Sequence, residues 1–385
     1  MANSFPYILL IIFYGVLAIL HKYFQDAPKK KTFINILAIS TFVFFFGFRG
    51  FVAYDWTIYF SFFTKAPTID KLVTLPFNQW QIEPGFLIVT SLCKTILPNS
   101  YIFFQITFTT INVLLVCRFF KKYTDNIPAC LTLFLPMGGT EFSIDLMRNS
   151  IAIFIFLNGI EFIQNKKLIP YLLICALAVS FHNSAIAYIP LYFVLNRKIN
   201  KYVLLGIFCA ANVICILHIP ILKSIVLLFA NILSPTTAQY IDAYMNYETQ
   251  GVSTFNIGYL ERLFTGIMLF CYIDKLRELR KTNILINSLF IYLFINLFLS
   301  EFRTISVRCS NLFIFAYWIV WQDLYKCLYY KGNKILYLLF IGCYCILKTY
   351  SGNSNAMAQY YNVLIDTKSH NERVIYFRQH QNDDK

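Results

Sequence analysis

The sequence predicts an all-α polytopic integral membrane protein of about twelve transmembrane helices, and three observations carry that expectation. The 385-residue chain is 58% hydrophobic and only 14% charged, with a mean hydropathy of +0.58; a soluble domain carries about 25% charge. Apolar runs of spanning length recur from end to end. Lysines and arginines gather in the short linkers between those runs, as they do in cytoplasmic loops. This topological role absorbs most of the formal net charge of +14. The 40 Phe and 27 Tyr residues accordingly read as helix-packing and interface residues, and no nucleic-acid partner is expected. The eleven cysteines show neither zinc-ligand nor thioredoxin spacing and read as small core residues.

The spans are expected near residues 4–24, 33–52, 99–120, 142–164, 202–219, 256–273, 283–302, 304–324 and 334–350, with shorter apolar pieces between them. The opening stretch, MANSFPYILLIIFYGVLAIL, has no basic region before its apolar run and no cleavage site, so it is expected to remain as the first span. The basic linkers are Lys22 with Lys29–Lys31, Arg118 with Lys121 and Lys122, Lys166 with Lys167, Arg197 with Lys198 and Lys201, Lys275–Lys281 and Lys326–Lys334. Each is expected to face the cytoplasm. With Lys29–Lys31 inside, the N-terminus lies outside, and residues 53–84 emerge on the extracytoplasmic side.

From there a single crossing leads to Arg118–Lys122, yet two apolar pieces intervene. The first, GFLIVTSLCKTIL (85–97), is too short to span and reads as a re-entrant or interfacial helix. Residues 127–142 read as a rising segment broken at Pro136, Gly138 and Gly139. Residues 168–180 rise, turn at SFHNS (180–184) and descend as 185–196. Such breaks are tolerated only where they line a cavity or pack inside protein, so an outward-opening cavity is expected. The polar segment Ser234 to Gly258 also falls outside, as does the tail on this count. The domain reading is a transmembrane domain, 1–350, followed by a polar C-terminal tail, 351–385.

Ionisable residues at membrane depth cost roughly 2.5–3.5 kcal/mol on insertion scales and are functional candidates. On the outer half these are Arg49, Asp55, Glu83, Glu141, Asp145, Arg148, His182, Glu301, Arg303 and Arg308. Arg148 either pairs locally with Asp145 at i, i+3 or presents a guanidinium fork to a phosphate-bearing ligand. His182 is either a satisfied structural histidine or a group acting directly on substrate. Glu301 and Arg303 could pair at a helix turn, while Arg308 lies farther into an apolar helix. Asp55 and Glu83 read either as solvated loop carboxylates, with Glu83 favouring a helix N-terminus, or as catalytic carboxylates beside the cavity. The cytoplasmic loops hold no G-x-G-x-x-G, P-loop, H-E-x-x-H or D-x-D pattern, which disfavours a nucleotide-dependent enzyme.

Taken in order, these motifs resemble the EpsG family, membrane proteins of bacterial exopolysaccharide and capsule loci. FRGFVAYDWTIY (48–59) resembles that family's arginine, small-residue loop and Asp-aromatic-x-x-Tyr pattern. Glu83-Pro84-Gly85-Phe86 is similar to its E-P-G-F element. LMRNSIA is similar to its R-Q-x-x-A helix start, with Asn149 in place of glutamine. FHNSAI is similar to its F-H-x-S-A turn, and Arg308 falls where a late arginine precedes an aromatic-rich helix.

The resemblance implies a Wzy-like polysaccharide polymerase, a glycosyltransferase of GT-C-like architecture in the bacterial plasma (inner) membrane. Its expected substrate is an undecaprenyl-pyrophosphate-linked oligosaccharide, and a chain-length regulator and a flippase are candidate partners. Arg148 and Arg308, followed by Arg49 and Arg303, are expected to hold the pyrophosphate, with Glu83 beside them. Asp55 is the favoured general base and His182 the competitor. No cofactor is expected; a divalent metal bridging Asp55 and the pyrophosphate is disfavoured because no second carboxylate is adjacent. The rival readings are a flippase for the lipid-linked sugar, disfavoured by the absence of internal two-fold symmetry, and a membrane acyltransferase modifying the glycan.

Overall fold

The computed structural model describes residues 3–72, 82–219, 256–366 and 368–380. Every regular element among them is helical, and the one strand-like pairing is an isolated bridge between Arg49 and Asn362. Five helices are long and apolar enough to cross a bilayer: Phe5–Tyr23, Pro28–Gly47, Tyr101–Lys121, Ile127–Ile144 and Lys331–Gly352. A sixth is reached if Thr304–Asn311 and Phe315–Cys327, bent by 67° at their junction, count as one span. The expected twelve are not reached among the described residues, where several apolar runs fold as short helices, among them Leu168–Val179, Lys201–Ile216 and Ile284–Phe298. At 1.5 Å per residue these reach about 18–24 Å, short of a hydrocarbon core of about 30 Å. The polar segment from Ser234 lies outside the described residues up to residue 255, as does part of the first outer loop, 73–81.

The chain divides into two compact units, Met1–Tyr192 with Ile335–Lys385, and Phe193–Lys334. The first opens with a hairpin of α1 (Phe5–Tyr23) and α2 (Pro28–Phe42), tied by the Tyr14 hydroxyl to the Ala38 carbonyl at 3.2 Å. Past α2 the helix widens into one π turn, Val43–Gly47. The short α3 (Trp56–Lys65) and α4 (Pro84–Ile96) follow, then the long α5 (Tyr101–Lys121). Next, α6 (Ile127–Phe134) runs into a π turn at Leu135–Gly139 and one further helical stretch, Thr140–Ile144. The break expected at Pro136–Gly139 is present: Gly138 takes φ 88°, and a Cβ on Gly139 would overlap Phe134. The largely buried α7 (Met147–Gln164) packs against α5 and against α8 (Leu168–Val179). A 3₁₀ segment, Asn183–Phe193, then lays Tyr188 flat on Phe156, with ring centroids 3.6 Å apart.

Polar contacts sort the ends of this bundle. Lys31 pairs with Asp125, Asn35 and Asn126 bond the Asp125 and Ala18 carbonyls at 3.0 Å, and Lys122 lies 3.3 Å from Glu161. The basic linkers at 22–31, 118–126 and the end of α7 therefore share one end. Chain direction puts residues 48–55, 141–149 and 180–184 at the other. The 13-residue α4 is too short to cross a bilayer and leads within four residues into α5. Its Lys94 donates to the Phe63 and Thr64 carbonyls at 3.0 and 2.5 Å, a cation at the C-terminus of α3.

The second unit holds α9 (Lys201–Ile216), α10 (Ile257–Arg280), α11 (Ile284–Phe298), α12 (Arg303–Asn311) and α13 (Phe315–Cys327). Its basic linkers also share an end. Arg280 bonds both oxygens of the buried Asp323 at 2.6 and 2.5 Å, and Lys201 pairs with Asp274 at 2.7 Å. Arg277 reaches the Ile199 carbonyl at 2.6 Å.

Residues read as a polar tail form a strap on the first unit. After the last long helix, α14 (Lys331–Gly352), residues 353–366 run beside 44–53. Gly50 and Ala53 donate their amides to the Tyr361 and Met357 carbonyls at 3.1 and 3.0 Å, and Val363 donates to Phe48 at 2.9 Å. Gly50 is required there, since a Cβ would overlap the Tyr361 ring. Tyr360 stacks on Phe45 at 4.0 Å. The final helix, α15 (His370–His380), begins with a capping box between Ser369 and Glu372. It is latched by Arg373, 1% exposed, which donates to the Phe51 carbonyl at 2.9 Å between the rings of Tyr361 and Tyr376. Arg373→Met leaves that carbonyl without this donor and removes both ring contacts, so a loss of about 2 kcal/mol or more is expected. Thermal unfolding of the detergent-solubilised protein measures it; an unchanged midpoint would mean that the strap adds nothing to stability.

Candidate functional site

Glu83, in the E-P-G-F element at the start of α4, anchors the site. Its carboxylate is 8% exposed and its Oε2 accepts from Arg148 Nη1 at 2.7 Å. Its Oε1 accepts the Asn183 amide at 3.3 Å. The next glycine makes the approach possible: the Gly85 amide donates to the Ser180 carbonyl at 2.7 Å, and a Cβ there would lie 2.6 Å from Ser180 Oγ. The E-P-G-F element and the S-F-H-N-S turn, about a hundred residues apart, are thus locked together. Phe86 lies 5.9 Å beneath the Arg148 guanidinium, a cation–π contact.

Arg148 is accordingly not paired with Asp145. Its side chain is 29% exposed, so a buried carboxylate holds one edge of a guanidinium that reaches the surface. Asp145 turns the other way, and its Oδ1 accepts the amides of Tyr54 and Asp55 at 3.1 and 3.0 Å. This fixes the turn leading into α3, where Asp55 occupies the position before the first helical residue. The buried Tyr59, one turn on, interacts with the Asp55 carboxylate and lies within hydrogen-bonding reach of Arg148. Asp55 and Arg148 therefore flank one tyrosine.

His182 stands in the turn bonded to Gly85. Its Nδ1 lies 2.7 Å from the Ser184 hydroxyl and 3.2 Å from the Ser184 amide nitrogen. The same hydroxyl lies 3.3 Å from Asn149 Oδ1, linking the histidine turn to the residue after Arg148.

Arg49 is placed differently. It is 2% exposed, and its guanidinium donates to the carbonyls of Phe46 and, at 3.2 Å, Ile144, and meets Met147 Sδ at 3.5 Å. It closes the π turn after α2 against the start of α7, and its visible contacts are protein groups. Arg308 is exposed on α12 in the second unit, and Arg303 opens the same helix. The first unit thus gathers Asp55, Glu83, Arg148 and His182, with Arg49 buried behind them; Arg303 and Arg308 belong to the other unit.

Sequence reasoning passed over two contributors to this site, Tyr59 and Phe86, which were hidden among many aromatics, although both lie inside the quoted motifs. It also passed over a buried acid of the second unit: Glu261 in α10 is 3% exposed and accepts the Thr265 hydroxyl at 2.7 Å, and the Thr265 oxygen accepts the Trp321 indole at 3.2 Å. Its signal was available as the adjacent charges Glu261-Arg262 opening an apolar helix. Among the described residues no group of three or more His, Cys, Asp or Glu side chains gathers as a metal site.

Comparison with known proteins bears on the same residues. No curated protein and no solved structure matches the chain. The model of the EpsG family matches residues 31–363, a range that takes in the Arg49–Asp55 turn, Glu83–Phe86, Arg148 and the His182 turn. With well over half of its length matched, this chain belongs to the EpsG family.

Proposed function

We propose that this protein is a polysaccharide polymerase that joins polyprenyl-pyrophosphate-linked oligosaccharide repeat units at the extracytoplasmic face of the bacterial plasma membrane. EpsG membership supports a polymerase-type membrane protein in polysaccharide biosynthesis. The finer reading is a glycosyltransferase of GT-C-like architecture with about twelve crossings, in which short apolar helices pair across their breaks. The observation that carries it is the end-to-end separation in the first unit. Glu83, Arg148, His182 and the Asp55 turn converge at one end, and the lysine-rich linkers occupy the other. The positive-inside rule makes the lysine end cytoplasmic.

Arg148 has five N–H donors, of which Glu83 engages those on one nitrogen and Tyr59 lies within hydrogen-bonding reach of the group. The donors left over suit a pyrophosphate oxygen, and the buried Glu83 keeps the guanidinium oriented before substrate arrives. In the proposed step Asp55 takes the proton of an acceptor hydroxyl. That oxygen bonds the anomeric carbon of the donor sugar, and the bond from this carbon to the lipid pyrophosphate breaks. The pyrophosphate leaves with the electron pair, stabilised by Arg148. His182 fits the base role less well, because its Nδ1 is already engaged by the Ser184 hydroxyl and amide. Repeat units would come from a flippase of the same pathway, with a separate chain-length regulator acting on the product. The proposal rests on residues of the first unit.

Arg148→Ala is expected to collapse the ladder of lipid-linked product by at least about a hundredfold, with single units accumulating outside the cell while the protein stays abundant in the membrane. A normal ladder would refute the pyrophosphate role, and units held on the cytoplasmic face would identify a flippase instead. Asp55→Asn is expected to lose about two orders of magnitude or more in polymer formation, and His182→Gln distinctly less. The reverse ranking, read on the same gel at matched protein level, would make the histidine the base.

A further inference from the structure

We propose that the groove between α3 and α15 is a saccharide-binding site that holds the acceptor glycan along its path to Asp55. The inference deepens the polymerase reading and rests on it. The groove encloses about 680 Å³, within the usual range of ligand sites, about 300–1,000 Å³. It starts at the first turn of α3, directly after Asp55, and continues through Phe60 and Ser61 to Thr64. These positions share one face of the helix and extend about 12 Å.

The lining has the chemistry of a sugar site. Phe377 is half-buried and offers ring surface from the α15 wall, with Trp56 at the base in an edge-to-face contact with it at 6.0 Å, while Phe60 on the α3 wall has one face covered by His370. Flat apolar rings suit the C–H faces of a pyranose. Two of the three hydroxyls on the α3 wall are already committed as donors: Thr57 Oγ1 donates to the Tyr54 carbonyl at 2.9 Å and Thr64 Oγ1 to the Ser61 carbonyl at 2.8 Å. Each keeps lone pairs to accept with, so they call for a ligand rich in O–H donors. Facing them, Arg378 contributes donors from the α15 wall. An acyl chain would use the rings and Val374 but leave the hydroxyls and Arg378 without a match; a polyhydroxylated chain can engage both kinds of group.

The α15 wall is firmly held. His370 stacks on Phe60 at 4.2 Å and 21°, and Arg373 is bonded to Phe51 as described above. This wall begins beyond residue 363, where the EpsG match ends. It therefore gives this chain a means of recognising its own glycan that the matched region does not supply.

The test uses the full-length protein in nanodiscs. The probe is oligosaccharides released by mild acid hydrolysis from the producing cell's own surface polysaccharide, with binding followed by thermophoresis. Wild type is expected to bind these fragments. Phe377→Ala, and Ser61→Trp, which fills the groove from an exposed position, are each expected to weaken binding at least tenfold. Ser61→Trp should keep the wild-type melting temperature and shorten the polymer ladder. No binding by wild type, or equal binding by a normally melting Ser61→Trp protein, overturns the groove. The polymerase reading fails separately, if Arg148→Ala leaves the ladder intact, so the two failures are distinguishable.

Discussion

The bond between Glu83 and Arg148 is the contact around which the end of the first unit away from the lysine-rich linkers is arranged. A carboxylate 8% exposed is costly unless a cation and further donors meet it, and here Arg148 and the Asn183 amide do so. That requirement brings α4, the start of α7 and the turn after α8 to one point. Gly85 lets the backbones close to hydrogen-bonding distance. Breaking a buried pair by removing one partner commonly costs more than the pair itself contributes, so Glu83 constrains fold and site together. The arrangement also suits substrate binding, because the buried partner is the carboxylate and the cation is the one that reaches the surface.

The other charges of the cluster divide the work. Arg49 serves backbone carbonyls at the π turn after α2, where a widened helix leaves acceptors that need donors. Asp145 gathers the amides of the Asp55 turn. Neither is aimed at a ligand, yet each positions a residue that can be. Five charged side chains in an apolar bundle are therefore not five equivalent binding groups. Some hold the backbone where helices break, and that support lets the remainder face outward without local melting.

The strap formed by residues 353–380 adds a second layer. It covers the exit of α2 and the turn before α3, giving partners to backbone that no helix could satisfy. Its composition is polar and basic, which is why it reads as a tail, but its tyrosines, Asn362 and Arg373 are the residues that dock. Polarity in a segment beside the membrane is compatible with being folded when its polar groups match exposed carbonyls.

The sequence by itself determined the class of the protein, the end of the bundle that collects lysine, and the sites where helices break. Hydrophobicity, charge placement and the Pro136–Gly139 pattern are local properties that sum along the chain. It also delimited the candidate residues, since an ionisable group in an apolar run is conspicuous whatever its partner. Only the tertiary structure decided which charge meets which. The spacing of Asp145 and Arg148 allowed a local pair, but the helix is interrupted between them, and the arginine met a carboxylate 65 positions away. It also decided that several apolar runs stop short of a full crossing, that Arg49 faces inward, and that the C-terminal helix forms one wall of a groove beside Asp55. Those outcomes depend on packing between segments distant in sequence, and no window along the chain contains both partners.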